Sequence, residues 1–334
     1  MTHPSDYDPE AVRFFDLAHE GAQIRSVAQI VDKLAPLAGN RPRSVIIYSP
    51  DHLARKSAEL AVALAGPLNT PCVIVDKLPS YTGPLDVVVA LTDRGDAPEL
   101  ARGLITAAGR GAEIICAPPA RGPLLDDLPP TAFTVPALPT VAGFSPARVI
   151  ATVTAVLDVL AGPDVPVAER ISELAASIDE DIVRLSPERD ATINPARGVR
   201  AFVDKHQVIH TAPPAGDPEH ETGARAAELI AHLWSARGMA SGYVDPADLP
   251  EVLNHNVTAN TKDIFHDPYL DGPEEVIPLR ILVWAARETD LTEAMAISAD
   301  QATRRPFGRI DAALRLVIRA LAATIYDAPT GDGA

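Results

Sequence analysis

His255 stands between two amides in the string Leu249-Pro250-Glu251-Val252-Leu253-Asn254-His255-Asn256, beside a helix-like segment in an otherwise parallel α/β pattern. An imidazole titrates near neutrality, so a histidine placed there could give a proton to a ligand and take one back. The plainer reading is a helix-terminal histidine whose flanking amides cap backbone groups. Downstream, Asp263, His266, Asp267 and Asp271 form an acidic, His-bearing run. It lacks the tight i, i+4 or paired-ligand spacing of a metal site and is broken by Asp267-Pro268 and Asp271-Gly272, so it reads as a polar loop and no metal is expected. His206 and His210 are also four apart, but they bracket a strand, where that spacing does not bring two side chains to one point. Neither a Walker-type loop, nor G-x-S-x-G, nor a strand-linked G-x-G-x-x-G occurs, so nucleotide and serine-hydrolase chemistry lack support and no cofactor is expected.

The elements that must position these residues alternate apolar runs with amphipathic segments, the βα pattern of parallel sheets covered by helices. In the first half the pattern predicts strands at 44–48, 71–76, 86–91, 112–117 and 131–135, and helices over 14–37, 52–65, 97–109 and 146–161. Ala161-Gly162-Pro163-Asp164-Val165-Pro166 interrupts the helical pattern and reads as a linker, dividing the chain into units 1–162 and 163–334. The second half predicts helices at 167–185, 194–204, 218–237, 247–256, 289–302 and 309–326, with strands at 207–211, 241–244 and 276–285. The expected fold class is α/β, two successive three-layer units whose ligands would sit at the carboxyl ends of parallel strands.

Composition narrows the function. The 334 residues carry 45 acidic against 29 basic groups, a net charge of −16. Nucleic acid, which needs a basic face, is therefore an unsuitable partner, and any phosphate site must be local, built from backbone N–H groups, hydroxyls or single arginines. Cys72 and Cys116, the two cysteines, fall in strand-like runs and read as small buried hydrophobes. With no apolar leader at 1–10 and no run of eighteen apolar residues, neither secretion nor membrane insertion is expected, and a reducing cytoplasm fits.

Several stretches, in order, resemble the bacterial bifunctional phosphoglucose/phosphomannose isomerases, dimeric sugar-isomerase (SIS) proteins. The His255 string is similar to their L-P-E-L-N-H-N-E signature, with one extra residue and Val257 where the family has a glutamate. Asn194-Pro195-Ala196-Arg197 followed by Gln207-Val208-Ile209-His210 resembles the family's N-P-A-K helix and the strand after it. Ser145-Pro146-Ala147-Arg148 stands in the place of a proline-arginine pair, and Ala322-Ala323-Thr324-Ile325-Tyr326 looks like the close of the family's late helix. The resemblance covers the chain from about residue 20 to the end. It implies two SIS-type units, a homodimer, a hexose 6-phosphate ligand, and His255 and Arg148 as catalytic residues, with His255 arriving from the second subunit. Ser49, Thr92 and Arg94 would then line the sugar-phosphate site.

The departures bear on activity. Where the family has S-G-N-T-E-E for its phosphate, this chain has Leu91-Thr92-Asp93-Arg94-Gly95-Asp96, with Asp96 expected to cap the next helix. The glycine-rich first turn is replaced by Tyr48-Ser49-Pro50-Asp51-His52. Trp234 falls where the family keeps its glutamate base, with Glu228, six residues earlier and otherwise an ordinary exposed helix acid, the nearest candidate carboxylate, and the family's C-terminal lysine has no counterpart. A sugar-phosphate binding protein with degraded or absent isomerase activity is expected, acting through a ligand or a protein partner in hexose-phosphate or mannose metabolism. The alternative is an active aldose–ketose isomerase with a rearranged site. The apolar helix at 309–326, with few positions for solvent, is expected to lie at the dimer interface.

Overall fold

The computed structural model describes residues 8–141, 143–162, 165–259, 278–299 and 308–327, and for 255–259 the backbone only. The chain enters through α1 (Pro9–Ala18), α2 (Glu20–Ala28) and a 3-10 turn (Val31–Leu37). Then come β1 (Ser44–Tyr48), α3 (His52–Ala65), β2 (Cys72–Val75), β3 (Asp86–Leu91), α4 (Pro98–Gly109), β4 (Glu113–Ala117), α5 (Leu124–Asp127), β5 (Phe133–Thr134) and α6 (Pro146–Ala161). The second half holds α7 (Val167–Arg184), α8 (Pro195–Phe202), β6 (Gln207–Thr211), α9 (His220–Ala236), β7 (Ser241–Tyr243), α10 (Leu249–Ala259), β8 (Leu279–Trp284), β9 (Ala294–Ile297) and α11 (Arg309–Ala323).

Two parallel sheets result, a five-stranded one in the order β2-β1-β3-β4-β5 and a four-stranded one in the order β7-β6-β8-β9. The second repeats the first without its last strand. β1 and β3 are buried at every position, which is why they read as unbroken apolar runs rather than as alternation. In each sheet the chain leaves the first strand toward one edge and returns on its other side, so the reversal lies between β1 and β3 and again between β6 and β8. Open α/β sheets bind ligands at such reversals, beyond the carboxyl ends of the strands.

Two of the resembling stretches turn out to be one structural device. Asn194 caps α8, its Oδ1 accepting from Ala196 N at 3.0 Å with Pro195 in the first turn. Its Nδ2 donates to the Tyr326 hydroxyl at 3.2 Å, while the Arg197 guanidinium lies 4.2 Å over the Tyr326 ring. Ser145 caps α6 likewise, accepting from Arg148 N at 3.1 Å.

Four expectations are corrected here. The helix foreseen over 14–37 breaks at His19, which ends α1 and precedes α2, and it closes in a 3-10 turn containing Pro36, whose ring cannot continue an α-helix. The helix foreseen at 289–302 is strand β9, because Ala294–Ile297 pairs with Ile281–Trp284 and tertiary pairing overrides a weak helical propensity. Asp96 does not cap α4: the capping position is Ala97, without a side-chain hydrogen bond, and Pro98 at the first position needs no N–H partner. The strand foreseen at 131–135 shortens to β5.

From Ile310 to Ala323 every residue of α11 is buried within the single chain, against α7, α8, α9, α3 and α1. Its apolarity is therefore accounted for inside one protomer. One apolar cluster runs from Val45 and Val89 of the first sheet through α6 and α7 to Leu282 and α11, so the two sheets share a core. Beneath α11 lies a polar knot: the Asp181 carboxylate faces Arg315 at 3.6 Å and Arg319 at 3.8 Å, all nearly inaccessible, and Arg319 donates to Ser298 O at 2.9 Å.

Candidate functional site

The reversal in the first sheet is built from the segments that follow β1 and β3. After Tyr48, Ser49 is fully buried and its hydroxyl donates to Asp51 O at 3.1 Å. Asp51 occupies the capping position of α3 with extended backbone, yet makes no side-chain bond to that helix. Its carboxylate instead crosses to the end of β3, where Oδ2 accepts from the Thr92 hydroxyl at 2.6 Å and from Asp93 N–H at 2.9 Å. Arg94 Nε lies 2.8 Å from Oδ1, and Arg94 N–H donates in turn to Thr92 Oγ1 at 3.0 Å. A hydroxyl, a backbone N–H and a guanidinium converging on one place make an anion site. In this chain the anion is its own: Asp51, 8% exposed, supplies the negative charge.

Arg148 stands behind this group. It is buried, and its guanidinium donates to Pro136 O at 3.2 Å, to Val135 O at 3.0 Å and to Pro118 O, tying together the ends of β4 and β5. Desolvation lowers its pKa to about 10, against the pull of Cys116, Asp93 and Glu20. Asp93, exposed to solvent at the end of β3, is nonetheless raised to about 6 by partial desolvation and by Asp51, with Arg148 opposing. A carboxyl raised toward neutrality is a group able to exchange protons. In the sequence Asp93 is visible only as repulsive charge, because its shift comes from desolvation in the fold and then from Asp51, forty-odd residues earlier in the chain. The loop after Asp93 is pinned by close approach of two backbones: a Cβ on Gly95 would fall 2.5 Å from Arg121 O, and Gly122 opposite has φ of 132°.

Ser49, Thr92 and Arg94 are thus brought together around Asp51, with Arg148 close enough to act on Asp93. His255 belongs to α10 in the second unit, where only its backbone is described, and Asp263, His266, Asp267 and Asp271 lie outside the described residues. Trp234, in the position matched to the family's base, is fully buried, donates from its indole to Ala320 O at 2.9 Å and packs edge-on to His210 at 4.7 Å. Desolvation pulls His210 down to about 3, so it stays neutral, accepting from Trp284 Nε1 at 2.9 Å. Glu228 joins α9 to α3 through Lys56 at 2.7 Å; desolvation raises its carboxyl, but Lys56 outweighs this and the pKa is lowered. Among the described residues no group of three His, Cys, Asp or Glu side chains is placed to hold a metal ion, and no helix is long and apolar enough to cross a membrane.

A cavity of about 980 Å³ opens at the carboxyl ends of the second sheet. Residues after β6, β8 and β9, the start of α9 and one face of α10 line it, among them Pro213, Leu249, Leu253, Val283, Ala285 and Ala299. Of the residues that stand out in the sequence as ligand-binding, Ser49, Thr92, Arg94 and Arg148 belong to the first half, whereas each segment around this cavity contributes a few unremarkable residues.

No family model and no curated protein sequence matches the chain. Solved structures do. The C-terminal domain of glucosamine-fructose-6-phosphate aminotransferase from Francisella tularensis superposes with TM-score 0.58 at 10% identity, covering 97% of this chain and 97% of that one. Tagatose-6-phosphate ketose/aldose isomerase from Escherichia coli superposes with TM-score 0.60 at 15% identity, covering 94% of this chain and 92% of that one. At such identities the likeness is one of fold.

Proposed function

We propose that this chain is a carbohydrate-derivative-binding protein of the phosphosugar-isomerase fold, divergent from the phosphoglucose/phosphomannose isomerases and without effective isomerase activity, which acts by regulating hexose-phosphate or mannose metabolism. The observation that carries this is Asp51. The groups at the first reversal that would grip a sugar phosphate, Thr92, the Asp93 N–H and Arg94, are satisfied by an internal carboxylate. A phosphate would have to displace that carboxylate or sit beside it, at a Coulombic disadvantage either way. Arg148 gives its Nε and Nη2 to three carbonyls, so only Nη1 could still turn to a ligand. Trp234 cannot exchange the proton that an enediol mechanism moves between neighbouring carbons. His255 is the one proton-transfer residue that the family resemblance carries over intact.

One observation favours the alternative, an active isomerase with a rearranged site: Asp93, lifted to about 6, is a usable acid–base group. A coupled assay with glucose 6-phosphate, mannose 6-phosphate and fructose 6-phosphate separates the two. Turnover is expected at background in the purified chain and unchanged in Asp93→Asn and His255→Ala. Robust turnover lost in either variant would establish the isomerase instead.

A further inference from the structure

We propose that the cavity at the carboxyl ends of the second sheet binds a compact organic cation with an apolar body, of the primary alkylammonium class, and discriminates against anions. At about 980 Å³ it has the size of a small-molecule site. It lies at the reversal between β6 and β8, where this fold class receives ligands. Its walls are apolar, with Leu249 and Leu253 of α10 facing Val283 of β8 across proline-rich segments. Its ionisable lining is one-sided: Asp217, Glu219, Glu288 and Asp290 against Arg287 among the described lining residues. Such a surface solvates an ammonium group and repels a phosphate, and the −16 net charge of the chain adds to that selection at long range.

Two further observations come from the same segments. Ala285, where the chain leaves β8 and enters the wall, has φ of 65°, a left-handed conformation uncommon for a residue with a Cβ and typical of functional sites. Thr211, just before Ala212 of the lining, and Thr222, in the first turn of α9, are fully buried, and their hydroxyls have no hydrogen-bond partner among the described residues. The start of α9 is pressed onto this wall, since a Cβ on Gly223 would come 2.3 Å from Trp284 O. None of this depends on the first crevice or on Asp51.

Three probes of equal length separate charge from apolar bulk: n-hexylammonium, 1-hexanol and hexanoate. The two tryptophans of the chain, Trp234 and Trp284, both lie in the second unit, and Trp284 adjoins the wall, so intrinsic fluorescence reports on this cavity. Hexylammonium is expected to bind at least about tenfold more tightly than hexanoate, a difference of about 1.4 kcal/mol, with hexanol between them. The exposed pair Glu288→Gln and Asp290→Asn should weaken hexylammonium about fivefold or more and leave hexanol unchanged. Hexanoate or inorganic phosphate binding as tightly as hexylammonium would overturn the proposal. So would hexylammonium binding indifferent to the double substitution, or no response to any probe up to about 10 mM.

Discussion

Replacing Asp181 by alanine is expected to lower the unfolding free energy by about 3–5 kcal/mol, a third or more of what a domain of ordinary stability possesses. Asp181 is 1% exposed and is the carboxylate shared by Arg315 and Arg319, themselves 2% and 7% exposed. Removing it leaves the buried guanidiniums of Arg315 and Arg319 facing each other, with the more exposed Arg184, 3.9 Å from the same carboxylate oxygen, losing a partner too. Arg315 keeps Asp311 at 3.3 Å, whereas among the described residues Arg319 keeps the Ser298 carbonyl and no other carboxylate, so the uncompensated charge falls mainly on Arg319. Urea denaturation would therefore show Arg319→Met costing clearly less in the Asp181→Ala background than in the wild type. Additive losses in that double-mutant cycle would mean that the knot is not an electrostatic unit.

The second large effect is one of pH. Glu20 is buried at 4% exposure beside the start of α6, where it accepts from the Ser145 hydroxyl at 2.8 Å and from Ala147 N–H at 3.2 Å. Desolvation outweighs these bonds and the pull of Arg237, raising its pKa from 4.5 to about 7. The folded state therefore holds a proton that the unfolded chain releases at lower pH. The stabilisation is fully present below about 4.5 and is lost as pH rises through about 7, a change of roughly 3 kcal/mol. Glu20→Gln keeps both acceptor bonds and removes the titration. Chemical denaturation from pH 5 to 9 should show the variant gaining on the wild type as pH rises, with the difference levelling off above about 8. Asp93 shifts stability in the same direction between 3.8 and about 6, and His210 in the opposite direction between 6.5 and about 3, but both proteins share these groups. Parallel pH profiles would show that Glu20 is ionised throughout.

The scaffold was readable because parallel strands buried on both faces leave continuous apolar runs, as at Val87-Val88-Val89, and because caps such as Asn194-Pro195 and Ser145-Pro146 are local. β9 was not readable, since Ala294-Met295-Ala296-Ile297 suits a helix by composition and becomes a strand only through Ile281–Trp284. The burial of α11 was legible, whereas what covers it was not: an apolar helix looks the same whether its neighbours come from one chain or two. At the candidate site the residue types Ser49, Thr92, Arg94 and Arg148 were visible, but their commitments were not. Asp51 carried no assigned role in the sequence, and only folding turns its carboxylate away from α3 toward Thr92, 41 residues on. Arg148 looked like a ligand-facing cation until three carbonyls claimed it.

The most direct test of the account is a titration with inorganic phosphate and with glucose 6-phosphate, followed by NMR or calorimetry, on the wild type and on Asp51→Ser, with Asp51→Asn as the near-isosteric control. If Asp51 fills the anion site, the wild type binds no better than about millimolar, roughly 4 kcal/mol. Both substitutions should then tighten phosphate at least about tenfold, because Thr92, the Asp93 N–H and Arg94 become available to it. Micromolar binding by the wild type, or folded Asp51 variants whose phosphate affinity is unchanged, would contradict it.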